Sequence, residues 1–241
     1  MQRNVRILVP VLALALLTAA CTVNQTIVVK SDGSGTATLH AEVSKLLGDY
    51  VSSLSEVSGR TSQAAGAPVF DAAAIRKDFA AKPGITVQKV LTPTPLSLDL
   101  ELGFTSLKDV FTRDAALKSS GVLTYAESGG KKTITIHLDK SNYPQLAALF
   151  PMLKDPTLAS LGPQVDDTTT EAEYLDMVSF SIGNDGPGLL KKSFITLTIA
   201  PQGDILSQTG GTLSGRTVVF RIPLLRVMVL DKPLDYSVSY K

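Results

Sequence analysis

Leu96-Ser97-Leu98-Asp99-Leu100-Glu101-Leu102-Gly103-Phe104 places an apolar side chain at every second position. A period of two belongs to extended chain, whose successive side chains point to opposite faces, so this stretch predicts a strand with one buried and one wet face. Its neighbours follow the same rule. Pro93 and Pro95 separate it from the apolar-rich run Ile85–Leu91, which makes a hairpin. Asp32-Gly33-Ser34-Gly35 separates Thr26–Lys30 from Thr36–Val43, and Ser128-Gly129-Gly130-Lys131 separates Val122–Glu127 from Lys132–Asp139. Glycine supplies the positive φ that short hairpin loops need, so three hairpins are expected. Leu234, Tyr236, Val238 and Tyr240 alternate with polar residues as a last strand. One-sided alternation of this kind belongs to antiparallel sheet, since parallel strands buried on both faces read as continuous apolar runs.

Helical periodicity fills the gaps. In Ser44–Val57 the residues Leu46, Leu47, Tyr50, Val51, Leu54 and Val57 form one stripe behind Ser44 as N-cap. Asp71 is placed to cap Ala72–Ala81, Ser106 with Asp109 to start Leu107–Leu117, and Thr170 with Glu173 to start Glu171–Ser181. Pro144 suits the first turn of a short helix over Pro144–Phe150. Together these elements predict an α+β domain, an antiparallel sheet built from hairpins with helices packed on one face. Ser58–Pro68 reads as a loop, and Pro151–Thr170, with three prolines and the Asp166-Asp167 pair, is the candidate boundary between lobes.

The N-terminus carries a different signal. Arg3 and Arg6 precede the unbroken apolar run Ile7–Leu17, the charged head and apolar centre of a secretory signal. The run is about half of the ~20 residues that a membrane-spanning helix needs. Leu17-Thr18-Ala19-Ala20-Cys21 resembles the bacterial lipobox, with Thr18 standing where an apolar residue is usual. The resemblance implies that residues 1–20 are removed and that Cys21 becomes the acylated N-terminus. Residues 21–23 are then a short tether and 24–241 the folded body. Thr22 stands where aspartate often marks inner-membrane retention, so cell-membrane and outer-membrane destinations both stay open.

Cys21 is the sole cysteine, so an internal disulfide is excluded and stability must come from an ordinary core. The mature chain would keep 21 basic and 22 acidic residues, without the basic excess that nucleic acid or anionic lipid would select. The longest later apolar stretch, Ile222–Leu230, is interrupted by Pro223 and Arg226, and no second anchor is expected. It reads either as core or as the lining of a lipid-sized pocket.

The strand Thr26–Lys30, the turn Asp32-Gly33-Ser34-Gly35 and the strand after it, a few residues past a lipidated cysteine, resemble the LppM-like group of envelope lipoproteins. So does the C-terminal piece Gly210-Gly211-Thr212-Leu213-Ser214-Gly215-Arg216-Thr217-Val218-Val219-Phe220. The resemblance implies a non-enzymatic envelope or lipid-contacting role and carries over no catalytic residue. Members often add a C-terminal membrane helix, which is not expected here.

Candidate chemistry is sparse. His40 with Glu42 and His137 with Asp139 are same-face pairs on two predicted strands; neighbouring strands would bring four nitrogen and oxygen donors onto one divalent metal, while separate strands would leave them solvated. Asp99 and Glu101 share a strand face, as a carboxylate pair for glycoside hydrolysis or as acids that keep the face wet. Gly33-Ser34-Gly35 and Leu213-Ser214-Gly215 read as turns, and no Gly-x-Ser-x-Gly elbow, phosphate loop or CxxC pair occurs. With no tryptophan, stacking on sugars or bases is poorly supported. The expectation is a non-catalytic, membrane-anchored extracytoplasmic lipoprotein without a cofactor, serving as a binding or scaffolding module for an envelope protein or lipid. The alternative is an envelope hydrolase whose acids or histidines are dispersed along the chain.

Overall fold

A computed structural model describes residues 21–57, 68–149, 162–166 and 168–241. The expected signal peptide, the loop expected over Ser58–Pro68 except Pro68, and most of the interval 151–170 lie outside the described residues. The three predicted hairpins form: β1 (Thr22–Val29) with β2 (Gly35–Glu42), β3 (Ile85–Leu91) with β4 (Ser97–Phe104), and β5 (Leu123–Ser128) with β6 (Lys131–Leu138). Four further strands follow: β7 (Phe194–Pro201), β8 (Ile205–Thr209), β9 (Thr212–Ser214) and β10 (Thr217–Pro223). Last comes β11 (Leu234–Tyr240).

The class is α+β, and the strands divide into two sheets. One has seven strands in the order β3-β4-β2-β1-β7-β10-β9, the other four in the order β5-β6-β11-β8. The antiparallel expectation holds at every pairing except β1 with β7, which is parallel, Val23 beside Ile195 and Ile27 beside Ile199. The reason is the route of the chain. Five strands intervene between the two, so β7 enters from the same end as β1, a crossover that parallel neighbours require.

One face of the seven-stranded sheet is apolar apart from Gln25, and two different partners cover it. Val29, Leu197, Ile199, Val218, Phe220 and Ile222 pack against Ile134, Leu138, Leu234, Val238 and Tyr240 of the four-stranded sheet. Toward β3, the side chains of Leu98, Leu100, Leu102 and Val90 are covered by Phe70, Ile75 and Phe79, the last two on α2 (Ala72–Ala80). The Leu96–Phe104 alternation therefore reports one continuous buried face.

Caps form where sequence chemistry places them. Ser44 Oγ accepts from the Leu47 amide ahead of α1 (Lys45–Val57), and Asp71 Oδ1 from the Ala74 amide. Thr170 and Glu173 complete a reciprocal capping box on α6 (Glu171–Ile182). The single helix expected over Leu107–Leu117 is instead two, α3 (Leu107–Arg113) and α4 (Ala115–Ser120). Asp114 divides them: extended at ψ 104°, it accepts through Oδ1 from the Ala116 and Leu117 amides, and its Oδ2 receives Lys82 Nζ. A short acidic side chain that satisfies free amides favours a new N-cap over helix continuation. The expected helix at Pro144 is α5 (Tyr143–Leu149). Two more helices, α7 (Gly186–Lys191) and α8 (Leu224–Val229), complete the described set. No helix of the described residues is long and apolar enough to cross a membrane.

β8 and β9 belong to different sheets and are joined by Gly210-Gly211. Gly210 has φ +74°, and a Cβ there would stand 2.6 Å from Tyr236 Cδ1. A Cβ on Gly211 would stand 2.7 Å from Phe220 Cε1. The Phe220 and Tyr236 rings themselves meet edge to face at 5.6 Å. The chain thus changes sheets across a ring pair that leaves no room for a side chain.

Candidate functional site

Among the described residues, polar organisation beyond ordinary capping gathers at the start of β1, on the wet face of the seven-stranded sheet and around His137 on the four-stranded sheet. Cys21 immediately precedes β1, the middle strand of that sheet, and is buried. Its N–H donates to Ser193 Oγ at 3.0 Å, and the Ser44 amide donates to Cys21 Sγ at 3.5 Å. Ser193, fully buried, also donates through Oγ to the Leu189 carbonyl, and its own carbonyl accepts from the Leu224 amide. One serine thereby joins the head of β1 to α7 and α8. Thr22 and Val23, expected as tether, are strand residues, paired with Glu42 and Ala41 on one side and Phe194 and Ile195 on the other. Their β-branched side chains suit a central strand, and pairing on both sides holds them in it.

The registers align side chains in rows across the wet face. Leu91, Asp99, His40, Asn24, Thr196 and Arg221 lie in one row, and Lys89, Glu101, Thr38, Thr26, Thr198 and Val219 in the next. An open depression of about 290 Å³ is lined by Asn24, Thr26, Thr38, His40, Lys89, Asp99 and Glu101. Within it His40 Nδ1 lies 2.7 Å from Asp99 Oδ1, and Lys89 Nζ lies 3.5 Å from Asp99 Oδ2. The histidine hydrogen bond, followed by the Lys89 charge, holds the Asp99 carboxyl below its ordinary range. The floor is therefore a cation–carboxylate–imidazole group on a bed of threonines, hydrogen-bonding in both directions and open to solvent.

His137 occupies a separate node. Its Nδ1 lies 2.7 Å from Asp235 Oδ1 and its Nε2 3.2 Å from Asp139 Oδ2. The Asp235 hydrogen bond, with help from Asp139, raises the imidazole above its usual value against a smaller opposing effect of desolvation. Asp139 Oδ1 accepts from the Ser141 and Asn142 amides and the Ser141 hydroxyl, so this acid organises the turn into α5.

The four sequence candidates for a metal are not brought together. His40 and Glu42 stand on β2 of the seven-stranded sheet, while His137 is on β6 of the four-stranded sheet and Asp139 directly follows it. Among the described residues no group of three or more His, Cys, Asp or Glu side chains is placed to hold a metal ion. Asp99 and Glu101 do share the depression, as their alternation predicts, but Asp99 is engaged by His40 and Lys89. Ile222–Leu230 is core: Ile222, Leu225, Val227, Val229 and Leu230 are buried. Sequence reading alone missed Asn24, Lys89 and Ser193. Asn24 and Lys89 sit at polar positions of strands whose partners only the fold reveals, and Ser193 precedes β7, which no hairpin signal marks.

No protein-family model matches the chain, and no curated protein matches it. Among solved structures, it is similar to the NMR structure of the folded domain of the LppM protein of Mycobacterium tuberculosis. Identity is 10% over 100% of this chain and 95% of that chain, with a TM-score of 0.45. This likeness assigns no role to any residue here.

Proposed function

We propose that the chain is an extracytoplasmic lipoprotein, held at the cell membrane or outer membrane by lipid on Cys21. Its α+β body acts as a non-catalytic binding or scaffolding module of the envelope. The observation that carries the reading is the position of Cys21. The lipobox cysteine, which follows a charged and then apolar leader, stands one residue before the central strand, its N–H bonded to Ser193. An N-acylated cysteine keeps that N–H, so this contact survives processing. Thioether-linked diacylglycerol and a further acyl chain supply membrane affinity at ~0.8 kcal/mol per buried CH₂, and two or more chains make the attachment durable. A tethered body then meets envelope partners at raised effective concentration.

The partner is an envelope protein or lipid, not nucleic acid, since the mature chain would hold 21 basic and 22 acidic residues. The wet sheet face is the surface the body offers. Asp99, His40 and Lys89 on it are already matched to one another, and among the described residues His40 makes no hydrogen bond to a hydroxyl that it could activate as a nucleophile. That supports binding over hydrolysis. Labelled palmitate should enter the mature protein, and Cys21→Ala should abolish labelling and release the protein from the membrane fraction; a variant still processed and still membrane-bound ends the anchor reading. Hydrolysis of envelope material that disappears in Asp99→Asn would overturn the non-catalytic assignment.

A further inference from the structure

The anchor point has no slack, and that fixes which part of the body meets the bilayer. Thr22 and Val23 are paired on both sides, so the strand ends beside Cys21 are held within a few bonds of its sulfur. Helices gather at those same ends. α1 follows β2, α7 precedes β7 and α8 follows β10, each at the end of its strand nearest Cys21. α6 packs on all three. Its inner seam is Tyr174 and Val178, set against Leu225 and Val229 of α8.

At 100° per residue Phe180 lies about 200° round from Val178, on the side turned away from the other helices. It is 94% exposed, with Met177 one turn back at 47%. The bare phenylalanine and the half-exposed methionine together make a small apolar patch on this helix. Lys191 and Lys192, also exposed, immediately precede the serine that holds Cys21. Asp176 and Glu173 lie four and seven residues before Phe180 on the same stripe of α6, and exposed Asp185 follows the helix, so the apolar contact is confined to the last turns of α6.

We propose that this helical end docks on the bilayer itself, Phe180 and Met177 entering the interface and the two lysines meeting lipid phosphates. The proposal rests on the reading that Cys21 carries lipid. Phenylalanine is among the apolar residues that amphipathic helices bury at the membrane interface, and lysines beside it favour anionic headgroups. The lipid chains supply the affinity, and the helical end fixes the orientation, so that the strand ends remote from Cys21 point away from the membrane.

Because the chain has no tryptophan, Phe180→Trp introduces a single reporter. The lipidated protein, purified from membranes, is placed in vesicles of phosphatidylcholine and phosphatidylglycerol. Emission from Phe180→Trp should shift to the blue, be quenched by acyl-brominated phosphatidylcholine and be shielded from acrylamide. Leu213→Trp, on β9 near the opposite strand ends, should show none of these changes. Adding Lys191→Glu and Lys192→Glu to Phe180→Trp should reduce the bromolipid quenching. Labelled protein that stays with the vesicles while the reporter at 180 remains open to acrylamide and untouched by bromolipid overturns the docking and leaves the anchor standing. Failure of palmitate labelling removes both. Quenching indifferent to charge reversal and to phosphatidylglycerol overturns the lysine–phosphate contact.

Discussion

Alanine at Gly210, Gly211 and Gly215 should separate two costs that these glycines avoid. Gly215 has φ +58° with nothing within 4 Å of a built Cβ, so Gly215→Ala meets only the left-handed backbone penalty, ~1–2 kcal/mol. Gly210 has φ +74° and in addition faces Tyr236 Cδ1 at 2.6 Å and the Asp235 carbonyl at 3.0 Å. Overpacking of that kind adds ~1–3 kcal/mol, so Gly210→Ala should exceed Gly215→Ala by about that amount. Gly211 is outside the positive-φ set, yet its Cβ would meet Val218 Cγ1 at 2.6 Å and Phe220 Cε1 at 2.7 Å. Its cost is steric alone, ~1–3 kcal/mol, and Phe220→Leu should relieve part of it, giving a coupling of about 0.5–3 kcal/mol in a double-mutant cycle. Urea unfolding followed by circular dichroism measures each value, with an unchanged slope confirming that stability is what moved. Equal losses for Gly210→Ala and Gly215→Ala, or strict additivity of Gly211→Ala with Phe220→Leu, would refute the account of a sheet corner closed over the Phe220–Tyr236 pair.

Asp114→Ala removes two N-cap hydrogen bonds and the partner of Lys82, and should cost ~1–2 kcal/mol in urea unfolding, with Asp114→Asn nearer wild type if the cap dominates. Ser193→Ala leaves the Cys21 amide without its acceptor and should cost ~1–3 kcal/mol, with faster hydrogen exchange at residues 21–24 as its specific sign. His137 has a raised folded pKa, so its contribution is fully present below the unfolded value of ~6.5 and is lost as pH rises through the folded one. Its side chain is 43% exposed, which limits the effect to a few tenths of a kcal/mol. Stability should fall by that much from about pH 6 to 8 in wild type and not in His137→Gln; equal pH slopes would remove the assignment. Asp99 has the opposite sign: its folded pKa is depressed, so its contribution is lost as pH falls through that value, and Asp99→Asn should flatten the acid limb of an unfolding curve.

Local chemistry sufficed for the hairpins, the caps and the buried face of β4, because each depends on residues a few positions apart. The helix expected over Leu107–Leu117 divides for a physical reason: the helical stripe continues across Asp114, and only the competition of its carboxylate with the backbone ends α3. Phe194-Ile195-Thr196-Leu197-Thr198-Ile199 alternates well, but the turn residues after it, Pro201-Gln202-Gly203-Asp204, lead to β8 in the other sheet, and the partners of β7 are β1 and β10. The division into two sheets was equally hidden, since it depends on what β8, β10 and β11 meet at long range. The site was half legible. Asp99, Glu101 and His40 stood out as wet-face residues, but that His40 meets Asp99 and not His137 follows from register, which no periodicity encodes.

The parallel contact between β1 and β7 also governs the order in which the molecule can be finished. A chain that emerges N-terminus first presents β1 early, yet the strand that must lie along its second edge arrives 172 residues later. Until then a central strand has an open flank, able to pair with the wrong edge. Contacts so distant in sequence slow the search for the native topology, so completion of the seven-stranded sheet should be the late, rate-limiting event of folding.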